Sequence, residues 1–167
     1  TSDNGPEGSE ISRDGGGADT IIDLWLKSEG YTERRVEKLG GPDTMVAIGP
    51  EWASAAASPS HLYKFHGAEG ALRVPLIMAG PGVPRGTRIN ARAIMPDIMP
   101  TLLELAGADA PAPDARPLTG LSLRPVLAGE RSEAYGEADA YGIEVAGNVG
   151  FYRGRYKLTR SLPPMGD

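Results

Sequence analysis

Three places in the sequence combine residue types that could do chemistry. The first is Asp3-Asn4-Gly5. Asp supplies an ionised oxygen and Asn a neutral amide oxygen, and adjacent hard-oxygen donors suit Ca²⁺ or Mg²⁺. The glycine after them lets the backbone turn away at positive φ. An Asx-Gly step is also a common turn, and the triplet taken alone reads that way first. The second place is Lys64, followed by a Gly-rich loop (His66-Gly67-Ala68-Glu69-Gly70) and then an apolar run. A lysine so placed can hold an oxyanion as a point charge. As one lysine among many, and taken alone, it reads first as a solvated surface group. The third is the pair His61 and His66, the only histidines of the chain. Two cannot build a three-histidine zinc site, and no HExxH motif is present. His66 is the better candidate for a substrate contact, because it lies two residues from Lys64.

The remaining composition narrows the classes. With no cysteine, the chain offers no disulfide, no zinc thiolate and no thiol nucleophile. It has neither a GxSxG nucleophile elbow nor a GxxxxGK[ST] phosphate loop. Seventeen basic and 22 acidic residues give a net charge of −5, against the clustered positive face a nucleic-acid partner requires. No apolar stretch reaches the roughly 18 residues of a membrane span. Gly (23) and Pro (15) are abundant, yet 40% of the residues are hydrophobic. That combination describes a loop-rich globular chain rather than a disordered one.

Residues 1–18 are Gly-rich and polar, and suit either a flexible tail or an active-site loop. A short helix is expected over 21–26, capped by Asp19 or Thr20 and closed by Gly30. A charged surface helix follows over 31–39, ended by Gly40-Gly41. Residues 44–48 are β-like and 51–57 favour helix. A further helical start at Ser60 runs through Phe65 and stops at Gly67, which puts Lys64 at a helix end. The strongest strand signal is 72–78, a continuous apolar run suited to burial on both faces. Pro75 belongs at its start or at an edge. Asp97 reads as the cap of a helix that turns Ile98, Leu102, Leu103 and Leu105 toward the core, with Gly107 past its end. A Pro/Ala linker covers 108–117. A short helix over 122–127 ends at Gly129, and 149–152 pairs with 156–159 around Arg153-Gly154-Arg155.

Five segments together resemble the sulfatase family, and bacterial arylsulfatases most of all. Thr1-Ser2-Asp3-Asn4-Gly5 is similar to the segment that supplies two metal ligands. KFHGAEGALRVP at 64–75 resembles the family's lysine segment. DIMPTLLELAG at 97–107 resembles its D-x-x-P-T-L-L-x-L-A-G helix, and GLSLRPVLAG at 120–129 its G-x-S-L-x-P-x-L-x-G segment. YRGRYKL at 152–158 is similar to its late hairpin. The order of the five matches the family's.

The resemblance implies an α/β fold: the rear part of an alkaline-phosphatase-like α/β/α domain (1–107), the linker 108–117, and a small, incomplete antiparallel subdomain (118–167). It implies hydrolysis of small-molecule or carbohydrate sulfate esters. It further implies a formylglycine nucleophile, made by a formylglycine-generating system from Cys or Ser in C/S-x-P-x-R, and a divalent cation, Ca²⁺ first, with Mg²⁺ or Mn²⁺ as alternatives. Asp3 and Asn4 would be metal ligands, Lys64 the catalytic and sulfate-contacting lysine, and His66 a further substrate contact. No C/S-x-P-x-R occurs in these residues, so the nucleophile is expected upstream and residues 1–167 alone are expected to be inactive. A phosphonate or phosphate ester hydrolase of the same superfamily is the alternative enzyme. A non-catalytic binding module is the alternative outside catalysis. Localisation is left open between periplasm and cytoplasm.

Overall fold

A computed structural model describes residues 2, 4–9, 21–31, 35–42, 44–108 and 116–162, with backbone alone at 21–23 and 36. Helices form where helix formers lie between glycine and proline stops. α1 (Ile21–Ser28) runs into Gly30 at φ +83°. α2 (Gly49–Ala57) takes Pro50 in its first turn, where a missing N–H costs no helical bond, and continues through an alanine-rich body. It closes at Ser58, held extended (φ −55°, ψ 142°) before Pro59. α3 (Glu69–Leu72) is a single turn, closed by the Arg73 N–H on the Glu69 carbonyl at 2.8 Å. α4 (Ile98–Ala106) ends on Gly107 in the left-handed conformation, and α5 (Arg124–Leu127) carries Pro125 in its first turn. None of these helices is long and apolar enough to cross a membrane.

β1 (Ala140–Val145), β2 (Asn148–Arg153) and β3 (Tyr156–Arg160) form a sheet in the order β1-β2-β3. Two-residue links, Ala146-Gly147 and Gly154-Arg155, make both pairings antiparallel. Ala146 and Gly147 have φ of +50° and +81°, the twist that suits a tight hairpin. The chain is thus a mixture of helix and a small antiparallel sheet, compatible with the expected α/β class. The hairpin expected near 149–159 forms, and β1 extends it by a strand that the sequence reading did not place.

The described residues fall into two compact units. One gathers Pro75–Gly142 and Phe151–Leu158. Its core is Leu123, Val126 and Ala134, with Ala91 and Tyr135 packed against them. Beside that core, Asp97 is fully buried and acts as a junction. Its carboxylate accepts the Ile94 N–H (2.8 Å), the Leu121 N–H (2.8 Å) and the Tyr135 hydroxyl (2.5 Å). Its carbonyl accepts the Thr101 hydroxyl, whose oxygen in turn accepts the Leu123 N–H at 2.8 Å. Asp97 does stand at the start of α4, but its side chain caps no α4 N–H. The carboxylate instead ties α4 to the segment leading into α5. Gly120 permits the crossing, since a Cβ there would lie 2.2 Å from the Pro96 carbonyl.

Burial pushes the Tyr135 phenol well above its ordinary range, and the Asp97 carboxylate beside it pushes further in the same direction. A raised phenol contributes stability that is complete below its unfolded value of 10.0 and is lost as pH rises past it. Ultraviolet titration should therefore show one tyrosine that ionises only as the fold opens. Tyr135→Phe should make the alkaline loss of stability shallower.

The second unit gathers Asn4–Val74, Ile143–Gly150 and Thr159–Asp167. Leu26 and Ala53 are fully buried and Ala71 nearly so. Asn148, 2% exposed, accepts the Leu162 N–H on its side-chain oxygen. A Cβ on Gly67 would meet the Val149 carbonyl oxygen at 2.4 Å, so the loop carrying Lys64 lies directly on the β2 backbone.

Several local expectations are corrected. The run at 72–78 forms no strand: Leu72 ends α3, and the residues beyond enter no ladder. A strand is defined by its neighbours, and none of the three described strands pairs with this run, whose Ile77 is 86% exposed. Residues 44–48 likewise join no sheet. The helix expected from Ser60 does not form, because Leu62 and Phe65 adopt φ of +62° and +75°, outside the right-handed helical region. In the 31–39 stretch only a 3₁₀ turn, Val36–Lys38, is seen among the described residues. On α4 the buried position is Thr101 rather than Leu102, which is half exposed. Leu102 sits one residue, about 100° of helical rotation, off the face shared by Ile98, Thr101 and Leu105. Asp19, Thr20 and most of the 108–117 linker lie outside the described residues.

Candidate active site

The segment after Asn4 and the loop around Lys64 are far apart in sequence and stitched together by backbone. The Gly5 N–H donates to the Ala71 carbonyl at 2.8 Å, and the Lys64 N–H to the Pro6 carbonyl at 2.9 Å. The Gly70 N–H closes the Lys64 loop on the His61 carbonyl at 2.9 Å. Glycine makes this contact possible. A Cβ on Gly5 would lie 1.9 Å from the Gly70 oxygen, and one on Gly70 would lie 1.8 Å from the Leu62 oxygen. Three stretches of main chain therefore meet where only hydrogen atoms fit. Ala71, just beyond, is inside α3, so its methyl group meets no φ penalty.

Lys64 is half-buried, and its Nζ lies 2.8 Å from the Glu7 carboxylate. The ammonium also sits 5.2 Å from the centre of the Phe65 ring. The other Glu7 oxygen accepts the Ser9 hydroxyl (2.7 Å) and the Ser9 N–H (3.2 Å). Partial burial pushes the Glu7 carboxyl up, but Lys64 and Ser9 together outweigh it and hold the group below its ordinary value. Lys64 is flanked by the two left-handed residues Leu62 and Phe65. For side chains of that size each costs on the order of 1–3 kcal/mol, a strain that persists only where the surroundings impose it. What was expected as a helix end is thus a constrained loop, locked onto the Asn4–Glu7 segment.

His66 is buried beneath this loop, 6% exposed. Its Nδ1 lies 2.9 Å from the Tyr63 carbonyl, which can only accept, so Nδ1 carries the proton. The ring also meets Tyr63 edge-on at 4.9 Å. Gly8 leaves room for that tyrosine, since a Cβ there would be 2.4 Å from the Tyr63 ring. One His66 nitrogen is therefore spent on holding the loop together. His61 is exposed.

Asn4 donates its amide nitrogen to the Gly5 carbonyl at 2.8 Å; an amide oxygen is a neutral donor of the kind hard cations take. Asp3 lies outside the described residues. Among the described residues no three His, Asp or Glu side chains gather as a cation site. Those residues alone do not assemble one. Glu7 was not singled out from the sequence. Its role depends on a contact across more than fifty intervening residues, and its only local signal is membership of the Asp3–Gly8 run.

No protein-family model matches the chain. Among curated proteins, the chain is similar to an uncharacterized sulfatase of Schizosaccharomyces pombe, 36% identical over 112 residues, which are 66% of this chain and 19% of that protein. It is similar to an arylsulfatase of Klebsiella aerogenes, 31% identical over 93 residues, 54% of this chain and 18% of that protein. It is also similar to a choline-sulfatase of Rhizobium meliloti, 34% identical over 93 residues, again 54% of this chain and 18% of that protein. The matched stretches thus span less than a fifth of these relatives' length. Their common description supports a sulfatase-family role for this chain.

Proposed function

We propose, for a chain related by sequence to the sulfatases, that the whole protein hydrolyses sulfate esters and that these residues supply part of its active site. The observation that supports this best is the stitching of the Asn4–Glu7 segment onto the Lys64 loop. In this reading the Lys64 ammonium contacts the sulfate oxygens and stabilises the negative charge that grows on them as the ester bond breaks. His66 supports the loop from below and orients it. Nothing in the chain supplies the nucleophile, so a formylglycine nucleophile would come from a part of the protein outside these residues. The reading includes a divalent cation, Ca²⁺ foremost, with Asp3 and Asn4 among its ligands. A carboxylate and a neutral amide oxygen in adjacent positions form a donor set suited to a hard cation.

The same proposal places these residues in an alkaline-phosphatase-like α/β domain larger than this chain. Exposed apolar side chains support it: Ile77 and Trp52 are 86% and 72% exposed, an unfavourable state for groups of that size. The test is a panel of aryl sulfate and aryl phosphonate with the full-length protein. Faster turnover of the sulfate is expected. Far faster turnover of the phosphonate would move the protein to the phosphonate or phosphate ester hydrolases of the superfamily. The 167 residues alone are expected to turn over neither.

A further inference from the structure

We propose that Glu7 is a positioning residue for Lys64, fixing the ammonium in one place and limiting how tightly it holds an anion at rest. The inference rests on the reading of Lys64 as the sulfate contact. The two ends of the pair are set independently by the main chain. Pro6, immediately before Glu7, accepts the Lys64 N–H at 2.9 Å, and Gly5 donates to Ala71 at 2.8 Å. The Glu7 carboxylate is itself steered by Ser9, which donates both its hydroxyl and its N–H to Oε1. That leaves Oε2 to face the ammonium at 2.8 Å. Both side chains are about a third exposed, so an incoming anion can reach the ammonium without dismantling the loop. Lys64 has three N–H donors. One is engaged by Glu7, and two are left for the oxygens of a sulfate group. Glu7 stays ionised at neutral pH, because Lys64 and Ser9 more than offset the effect of its partial burial.

A carboxylate in that position acts in two ways. It holds a flexible four-carbon side chain in the geometry needed when charge develops, which favours the transition state. It also repels any anion already bound at the ammonium, which weakens ground-state binding. The repulsion acts on the transition state as well, so what Glu7 adds to kcat comes from holding the ammonium in place.

The test uses the full-length enzyme with Glu7→Gln, which keeps size and hydrogen-bonding oxygen but removes the charge. kcat for an aryl sulfate is expected to fall about tenfold, while the inhibition constant for inorganic sulfate falls about two- to fivefold, meaning tighter binding. A purely structural residue would not move the two in these opposed senses. Glu7→Asp keeps the charge and withdraws it by one methylene. It should lower kcat without tightening sulfate binding, and it gives the test a second arm should the glutamine variant fail to fold. If Lys64→Ala abolishes activity while both Glu7 variants keep wild-type kcat and sulfate inhibition, Glu7 has no positioning role. If Lys64→Ala itself leaves activity unchanged, the underlying reading of Lys64 fails instead.

Discussion

Lys64→Ala in the full-length protein is expected to lower kcat/KM for a sulfate ester by roughly 10²-fold or more, the usual scale for removing one preorganised charge partner from a developing oxyanion. The chemistry asks for little covalent work from neutral side chains. Negative charge spreads over sulfate oxygens, and what lowers the barrier is positive charge already in place. Lys64 meets that requirement in three respects. Its ammonium is anchored at 2.8 Å by Glu7. Its main chain is tied to Pro6. Its loop is held in a shape that includes two left-handed side-chain-bearing residues, Leu62 and Phe65. The loss should fall mainly on kcat, because the interaction strengthens as charge builds. Lys64→Arg should recover only part of it, since a planar fork does not reproduce a compact point charge. Stability should change by no more than about 1 kcal/mol, the range of a partly exposed ion pair. An unchanged kcat/KM would make Lys64 a surface lysine with a structural partner, and the proposed catalytic role would be lost.

How far the sequence could lead depended on where each piece finds its partner. Helices α2 and α4 and the β2–β3 hairpin were legible because their signals are local. Alanine runs, proline in a first turn, a glycine past the end and a glycine-centred turn all act within a few residues. The apolar run at 72–78 was misread for the opposite reason. Hydrophobicity announces burial, but a ladder requires a neighbouring strand, and none of the described strands pairs with it. The Lys64 loop was misread as a helix end because propensity at 60–65 carries no information about the glycine contacts at Gly5 and Gly70 that bend it. The lysine itself was singled out, since its segment carries the family likeness. Glu7 was not found, because its meaning is a salt bridge that exists only once the loop is folded.

Asp97 carries the largest expected effect on stability. It is fully buried, and its carboxylate has three donors on it from three places in the chain: Ile94, Leu121 and Tyr135. Three donors on two oxygens satisfy the buried side chain, because each N–H or O–H replaces a water. Asp97→Ala removes the acceptor and strands all three donors. A fully buried donor left stranded costs about 1–3 kcal/mol; these three bonds are only partly buried and share one centre, so the sum is less than additive. A loss of about 3–5 kcal/mol is expected, read as a lower denaturant midpoint of the full-length protein. Asp97→Asn should fall between that and wild type. Its oxygen can still serve Leu121 or Tyr135, but its NH₂ would face another donor. Thr101→Val isolates the next link. It leaves the Leu123 N–H without its 2.8 Å acceptor and should cost about 1–3 kcal/mol. If Asp97→Ala lowered the midpoint by no more than the loss of a helix cap, about 1 kcal/mol, the aspartate of the D-x-x-P-T segment would be a cap and nothing more. The bond pattern argues otherwise, since the carboxylate bonds no N–H of α4 and reaches instead to the chain entering α5.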